Sequence, residues 1–211
     1  MRVWISGGGG FVGSNIVQAA LEGGHEVLTT ANTWTAPPGA PYAVASVDMC
    51  DEAAVRASLD AFEPDLVIHC AIMNDWDQMH ADRHGAWAAY VEATRNYGDA
   101  ANAADIPWCL VSTDWVFDGT QSMATEYTPP NPINLYGFLK AASEIVAVER
   151  GGSFARVMGV NGTHWARPTT PRLQDPGYGY FVASIVDALE QGRVQLGDLD
   201  ALRGRQNAVF T

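Results

Sequence analysis

Short apolar runs alternate along the chain with longer stretches in which apolar and polar residues follow a helical spacing. The predicted strands are Val3–Ser6, Glu26–Thr30, Leu66–Cys70, Trp108–Ser112 and Phe154–Met158. The predicted helices, rich in Ala, Val and Leu, are Val12–Leu21, Glu52–Phe62, Ala86–Ala103 and Leu139–Arg150. This alternation is typical of βαβ units and predicts an α/β fold, a Rossmann-type doubly wound parallel sheet with helices on both faces.

Three stretches rich in turn-forming residues separate these elements. Asn32–Pro41 and Gly119–Asn134 are predicted to be loops, and Gly159–Gly179 mixes Gly, Pro, Thr and Arg in a way that suits a substrate loop. The pattern therefore predicts one sheet-containing unit followed by a segment of different character.

Composition narrows the classes of partner. The chain has 211 residues, of which 47% are hydrophobic, and a net charge of −12, so it can build one sizeable core but lacks the clustered cations that nucleic acid or anionic membrane requires. Cys50, Cys70 and Cys109 lie far apart in or beside apolar stretches, and we interpret them as reduced, mostly buried side chains. With no long apolar segment at the N-terminus or later, the sequence predicts a cytoplasmic protein without a membrane partner.

A glycine-rich loop follows the first predicted strand. Gly7–Gly13 has the spacing G-x-x-G-x-x-G and leads into the first predicted helix, the context in which backbone amides and a helix N-terminus bind a pyrophosphate. The second predicted strand ends in Thr29–Asn32, without the carboxylate that commonly binds the ribose hydroxyls of NAD. The sequence therefore predicts a dinucleotide cofactor, with NADPH favoured and NADH left open.

The only lysine of the chain, Lys140, lies four residues after Tyr136. On a helix this spacing stacks the two side chains, so the ammonium can lower the pKa of the phenol and make it a proton donor to a carbonyl oxygen. For the spacing alone, a surface pair is the more frequent explanation. The preceding glycine loop favours an oxidoreductase.

Three sequence blocks carry a resemblance to a known family. They are Gly7–Gly13 followed by Ser14 and Asn15, S-T-D-W-V-F-D-G at Ser112–Gly119, and P-P-N-P-I-N-L-Y-G-F-L-K at Pro129–Lys140. In these blocks the chain resembles the extended short-chain dehydrogenase/reductases, within the branch of the dTDP-4-dehydrorhamnose reductases. The resemblance extends over residues 1 to about 160.

The resemblance implies a role for each matching residue. Tyr136 would donate a proton to the substrate carbonyl, Lys140 would hold the nicotinamide ribose, and the hydroxyl of Thr113 or Ser112 would bind the substrate oxygen. Thr113 has an alternative role, which is to cap the backbone at its own strand end. The implied cofactor-binding residues are Gly7, Gly10, Phe11, Val12, Gly13, Asp48, Met49, Cys70, Ala71 and Ile72, together with Tyr136 and Lys140.

The implied function is reduction of a keto sugar nucleotide or a related keto compound by NAD(P)H. Two alternatives stay open, an NDP-sugar epimerase or dehydratase with tightly bound NAD, and a non-catalytic regulatory subunit resembling the methionine adenosyltransferase β subunit. The implied organisation is a nucleotide-binding domain at residues 1–158 and a shortened substrate lobe at 159–211. A homodimer is left open.

Some positions depart from the family pattern, and others carry residue types that can bind a metal ion or a nucleotide. Glu92 stands where the family has asparagine, and Ile72–Trp76 replaces a loop of small residues, which puts substrate choice in doubt. We expect no metal site, and interpret the candidate ligands as capping or surface residues; they are Asp114, Asp118, Glu126, His80 and His84. A further candidate contact for a nucleotide is Trp165 with Arg167 and Arg172.

Overall fold

The structure is a computed structural model that describes residues 1–121, 123–160 and 162–167. Its strands are β1 (Arg2–Ser6), β2 (Glu26–Ala31), β3 (Ala43–Ser46), β4 (Leu66–His69), β5 (Trp108–Thr113) and β6 (Ser153–Val157). Its α-helices are α1 (Phe11–Glu22), α2 (Glu52–Phe62), α3 (Trp76–Ala81), α4 (Arg83–Trp87), α5 (Ala93–Ala103) and α6 (Leu135–Glu149). A π-helical segment (Ala88–Glu92) and a 3₁₀ turn (Asp114–Val116) complete the list.

The described strands form one parallel sheet in the order β3-β2-β1-β4-β5-β6. The chain builds outward from β1 to β3, then returns to the other side of β1 and builds outward again from β4. This reversal between β1 and β4 is the point at which such sheets bind ligands, beyond the carboxyl ends of the strands. The doubly wound fold predicted from the sequence is confirmed.

Alternation along β1 explains how the sheet is buried on both faces. Trp4 is fully buried on one face with Val67 and Leu110, while Val3 and Ile5 are buried on the opposite face. Successive side chains of a strand point to opposite faces, so a continuous apolar run needs helices on both sides. The core therefore fixes the register of β1 and with it the position of the glycine loop that follows.

The structure differs from the prediction at one strand and at the start of one helix. The edge strand β3 was not among the predicted strands, because its four residues are only partly buried and lack a clear apolar run. Helix α6 begins at Leu135, four residues before the predicted start, because the Asn134 side chain accepts a hydrogen bond from the Gly137 amide at 2.8 Å and caps the helix. As a result Tyr136 lies in the first turn of α6.

The predicted helix Ala86–Ala103 is divided by the π-helical segment. The carbonyl of Tyr90 in this segment accepts side-chain hydrogen bonds from Thr94 at 2.7 Å and Ser143 at 3.1 Å. Glu92 accepts from the Trp87 indole at 2.9 Å and pairs with Arg95, with a third of its side chain exposed. At this departure from the family pattern, the carboxylate therefore lies at the protein surface.

The segment after β6 is described only up to residue 167. The Asn15 side chain donates to the carbonyl of Thr163 at 2.9 Å, and the His164 ring packs edge-on against Phe11 with centroids 5.8 Å apart. This segment therefore returns to the start of α1. Residues 168–211, including Arg172 and most of the predicted lobe, lie outside the described residues, and the predicted boundary at 158 stays a prediction. No helix in the described part of the chain has the length and apolar character needed to cross a membrane.

Candidate functional site

The glycine loop packs directly on the loop that follows β4. Gly7 has φ +72°, in the left-handed region, and a Cβ there would lie 2.9 Å from the Ala71 Cα. A Cβ at Gly13 would overlap the carbonyl oxygen of Gly7 and lie 2.8 Å from its carbonyl carbon. The first and third glycines of the motif therefore permit close packing of the loop against its neighbours, the role expected of them in a dinucleotide-binding turn.

The N-terminus of α1 presents backbone donors to this loop. Gly10 is its extended N-cap residue, and no side chain caps the helix there. Phe11, Val12 and Gly13 form the first turn of the helix. Such an end attracts an anion through its amides and its helix dipole. The predicted pyrophosphate-binding residues are thus brought together at the N-terminus of α1, a helix of twelve residues.

The end of β2 supports the glycine loop from the other side. The Thr29 hydroxyl accepts from the Gly8 amide at 2.9 Å and donates to the Ile5 carbonyl at 2.7 Å, which explains why this position needs a buried hydroxyl. The Trp34 ring packs over Gly9, so close that a Cβ at Gly9 would lie 2.7 Å from it. The sequence reasoning missed Trp34, whose position in a proline-containing loop gave no signal.

Ser6 joins the carboxyl ends of β1 and β4. Its hydroxyl accepts from the amides of Cys70 and Ala71 at 2.8 and 2.9 Å, so it donates its own proton to Nδ1 of His69 at 2.8 Å. Burial, with a smaller contribution from the nearby Lys140, holds the pKa of His69 well below its usual value. A neutral His69 is therefore a structural acceptor that fixes the predicted nicotinamide-side loop, Cys70–Ile72.

Asp48 and Met49 lie beyond β3, two strands away from β1. The exposed Asp48 accepts from the Cys50 amide at 2.9 Å, and the Met49 carbonyl accepts from the Asn96 side chain at 3.1 Å. These bonds fix the backbone that follows β3, at the outer end of the sheet edge. The structure thus arranges the predicted cofactor contacts along one edge of the sheet, from β3 to β4.

Tyr136 is surrounded by aromatic rings. The centroid of its ring lies 5.5 Å from that of Trp76, 5.9 Å from Trp115 and 6.0 Å from Tyr90. The Tyr90 hydroxyl donates to the Met73 carbonyl at 2.9 Å, and burial together with Tyr136 raises the pKa of Tyr90. Tyr90 therefore stays neutral and serves as a fixed wall beside the half-buried Tyr136.

Lys140 lies near the ring of Tyr90. It is 4% exposed, its Nζ donates to the Val111 carbonyl at 2.6 Å, and it lies 5.9 Å from the centroid of the Tyr90 ring. Burial lowers the pKa of Lys140 to about 8, while Cys70 and Glu144 oppose the shift. Burial, partly offset by Lys140, raises the pKa of the Cys70 thiol to about 12. The cation is therefore costly to bury and is held at the carboxyl end of β5.

The depressed pKa of Lys140 gives a testable pH dependence. Because the unfolded chain keeps the lysine protonated up to about 10.5 and the folded chain only up to about 8, the unfolded state binds more protons between these values. Stability relative to Lys140→Met should therefore rise across this interval, by about 3 kcal/mol. Denaturant unfolding of both proteins at a series of pH values measures the difference.

The same titration can be followed directly, because the chain has only one lysine. Growth on ¹³C-labelled lysine labels Lys140 alone, and its Cε resonance is expected to titrate near 8. A resonance that titrates at the value of a free lysine would contradict the burial of the cation.

Ser112 and Thr113 point to opposite faces of β5. Ser112 is buried and donates to Oε1 of Glu144 at 2.5 Å, so its hydroxyl is engaged away from the cleft. The Thr113 hydroxyl accepts from the Trp115 amide at 3.2 Å and lies 3.2 Å from the Asp114 carboxylate, to which it donates. The capping role that was the alternative for Thr113 is thus present, and one acceptor position of this hydroxyl remains beyond these two bonds.

Comparison with known proteins identifies the family to which this chain belongs. The profile described as RmlD substrate binding domain matches residues 1–161. This chain belongs to that family. The resemblance to the dTDP-4-dehydrorhamnose reductase branch is thereby confirmed, and the RmlD-type chain shares its fold with a hypothetical dTDP-4-dehydrorhamnose reductase from Sulfolobus tokodaii. That structure is 29% identical, with a TM-score of 0.68, and the match covers 77% of this chain and 57% of the other.

Other relatives of this RmlD-type chain have differing functions. A probable low-salt glycan biosynthesis reductase, Agl14 of Haloferax volcanii, is 31% identical over 89% of this chain and 61% of its own length. The methionine adenosyltransferase 2 subunit beta of Xenopus tropicalis is 32% identical over 68% of this chain and 41% of its own. The Bordetella bronchiseptica enzyme WbmG, solved with NAD and UDP, is 27% identical with a TM-score of 0.68, over 77% of this chain and 55% of that one.

The RmlD-type chain contains a buried ion pair that the sequence reasoning did not identify. Arg156 binds Glu144 through two hydrogen bonds, Nε to Oε1 at 2.9 Å and Nη2 to Oε2 at 2.7 Å, and both side chains are largely buried. Glu144 also accepts from Ser112, so the pair ties α6, β5 and β6 together. The only sequence signal was the isolated arginine inside an apolar strand.

Three of the acidic and histidine candidates, Asp114, Asp118 and His80, have structural partners in this RmlD-type chain. Asp118 accepts from the Thr120 amide and hydroxyl and from Asn131, and these bonds lower its pKa. His80 donates from Nδ1 to the Trp76 carbonyl at 2.8 Å. Burial raises the pKa of Asp114. Among the described residues, no group of three potential ligands could hold a metal ion.

Proposed function

We propose that this protein is an NAD(P)H-dependent reductase of a keto sugar nucleotide or a related keto compound. The observation that carries the proposal is the first turn of α6. Tyr136 lies in this turn beside Tyr90, and Lys140 lies one turn later near the same ring, at the carboxyl end of β5. A phenol and a buried cation at the same carboxyl edge of the sheet as the glycine loop suit proton transfer to a carbonyl oxygen.

The residues around the glycine loop fit a nicotinamide dinucleotide. The amides of Phe11, Val12 and Gly13 would bind the pyrophosphate, because the N-terminus of a helix attracts an anion. Asp48 and Met49 would lie at the adenine end, and Cys70–Ile72 would line the nicotinamide end. Lys140 would hold the nicotinamide ribose, because its ammonium has three donors and the Val111 carbonyl uses one.

The bound nicotinamide would supply a hydride to the carbonyl carbon of the substrate. Tyr136 would donate its hydroxyl proton to the carbonyl oxygen, so that the ketone becomes a secondary alcohol and the tyrosine becomes a phenolate. The ammonium of Lys140 would stabilise that phenolate, and solvent would return the proton. Thr113 would orient the substrate oxygen by turning its hydroxyl proton from the Asp114 carboxylate to that oxygen. Ser112 is left out of the proposed catalytic set because its hydroxyl is buried and bound to Glu144, away from Thr113.

Cofactor preference is the first part of the proposal to test. The buried Thr29 serves the glycine loop, and neither Thr30, which is buried, nor the exposed Asn32 offers a carboxylate for the ribose hydroxyls, which favours NADPH. Titration of the purified chain with NADPH and with NADH, followed by tryptophan quenching, measures both affinities. Tighter NADPH binding is expected, and binding of neither cofactor would contradict the proposal.

The substrate class follows from the relatives. Agl14 is named a glycan biosynthesis reductase, and WbmG was solved with UDP as well as NAD. The substrate of this chain is proposed to be a nucleotide-linked keto sugar. Assays of NADPH consumption with dTDP- and UDP-linked 4-keto sugars test this, with the corresponding free nucleotides as controls.

A second candidate function is a regulatory subunit without turnover. The relative that carries this alternative is the methionine adenosyltransferase 2 subunit beta. If the protein has this role, it should bind NADPH, reduce no keto sugar and form a stable complex with a methionine adenosyltransferase in size-exclusion chromatography. Turnover of a keto sugar in the absence of any partner would exclude it as the sole function.

A further inference from the structure

Two tryptophans lie beside the proposed proton donor. The ring centroids of Trp76 and Trp115 are 5.7 Å apart, and each lies within 6 Å of the centroid of Tyr136. Trp76 is 40% exposed, although it belongs to this cluster. We call Trp76 and Trp115 the indole wall.

The backbone holds both indoles in position. Trp76 is the first residue of α3, whose N-cap Asp75 accepts from the Gln78 amide at 2.9 Å. Trp115 lies in the 3₁₀ turn after β5, and a Cβ at Gly137 would overlap its carbonyl oxygen. Helix α6 therefore packs against the backbone of Trp115 immediately after Tyr136. The indole wall and the tyrosine are set relative to each other by three separate elements.

The exposed part of the wall has a chemistry of its own. Indole faces offer apolar, electron-rich contact area and only one hydrogen-bond donor each, at the ring edge. They therefore pack well against the C–H face of a sugar ring and poorly against a surface covered with hydroxyl groups. Binding pockets commonly combine such aromatic area with a small number of polar groups that fix orientation. Here those polar groups are the hydroxyls of Tyr136 and Thr113.

We propose that the indole wall determines substrate specificity, by packing against the C–H face of the sugar ring that carries the reactive carbonyl. This inference rests on the proposed function, because it assumes that the reactive carbonyl binds at Tyr136. Trp76 is the main determinant, since it combines exposure with contact to both other rings. It acts on the sugar, whereas the proposed dinucleotide contacts other than Tyr136 and Lys140 lie at the glycine loop and along the sheet edge from β3 to β4.

The test measures how much the sugar adds to nucleotide binding. Calorimetric affinities of dTDP-glucose and dTDP, and of UDP-glucose and UDP, are compared for the full chain. An aromatic contact contributes about a factor of ten to an affinity. In the wild type, the sugar nucleotide of the preferred pair should therefore bind about tenfold more tightly than its free nucleotide, and this ratio of affinities is the increment. Trp76→Ala should remove most of the increment. Trp76→Phe keeps an aromatic ring and should retain most of it.

Trp87→Ala is the matched control, because Trp87 is 37% exposed and is bonded to Glu92 away from the Tyr136 cluster. This control should keep the full increment, and NADPH affinity should be the same in all four proteins. The inference is overturned if the wild type shows no increment with either pair, if Trp87→Ala loses as much as Trp76→Ala, or if Trp76→Ala weakens NADPH instead. Absence of turnover with intact increments would contradict the proposed function and not this inference.

Discussion

Replacing Tyr136 by phenylalanine is expected to lower kcat by about 1,000-fold, because the ring stays in its aromatic surroundings while the transferable proton is lost. The packing partners of the ring, Trp76, Trp115 and Tyr90, contact it through faces and edges that phenylalanine shares. NADPH affinity and thermal stability should therefore change little. Initial rates with a keto sugar nucleotide, together with a NADPH titration, measure both properties on one preparation.

Tyr127→Phe supplies the matched control for this experiment. Tyr127 is 94% exposed, so the same loss of a hydroxyl there should leave kcat unchanged. If Tyr136→Phe kept wild-type activity, Tyr136 would not be the proton donor. If it lost activity only through weaker NADPH binding, the phenol would act in cofactor binding and not in proton transfer.

Gly13→Ala should weaken cofactor binding strongly. The added methyl group would overlap the carbonyl oxygen of Gly7, so either α1 or the glycine loop must move. Because the proposed pyrophosphate donors lie in the first turn of α1, a displacement of about 1 Å is expected to weaken NADPH binding by about 100-fold. Overpacking of backbone against backbone should also lower the free energy of unfolding by about 2 kcal/mol. NADPH titration and denaturant unfolding measure the two effects.

Gly24→Ala separates a local effect from a general loss of glycine. Gly24 also has φ +72°, but a Cβ there would meet nothing within 4 Å. The variant should lose about 1 kcal/mol of stability from backbone strain and keep its affinity for NADPH. Unchanged NADPH binding in Gly13→Ala would mean that the cofactor, if it binds, does not use the end of α1.

Together the two substitutions distinguish the two candidate functions. In a reductase, both Tyr136→Phe and Gly13→Ala strongly reduce turnover, and only Gly13→Ala also weakens cofactor binding. In a cofactor-binding regulatory subunit, Tyr136→Phe should change neither the assembly with the partner enzyme nor the partner's activity. The phenotype of Tyr136→Phe therefore decides whether the preserved Tyr-Lys spacing serves chemistry in this RmlD-type chain.

The sequence by itself determined the fold class and the family. Apolar runs of strand length alternating with amphipathic stretches specify a buried parallel sheet, and the glycine loop after the first strand marks its ligand-binding edge. Both signals are local, since each depends on residues adjacent in the chain. The same holds for the spacing of Tyr136 and Lys140, which one helical turn brings together wherever that helix lies.

Only the tertiary structure decided which side chains share the site. Ser112 and Thr113 are neighbours in sequence, yet the pleat of β5 directs one to Glu144 and leaves the other at the turn beside Asp114. Trp76 and Trp115, 39 positions apart in the chain, meet at Tyr136 because α3, the turn after β5 and α6 converge there. The burial that lowers the pKa of Lys140 likewise comes from elements distant in sequence. Periodicity reports which face of an element is apolar, whereas these contacts depend on how the elements pack.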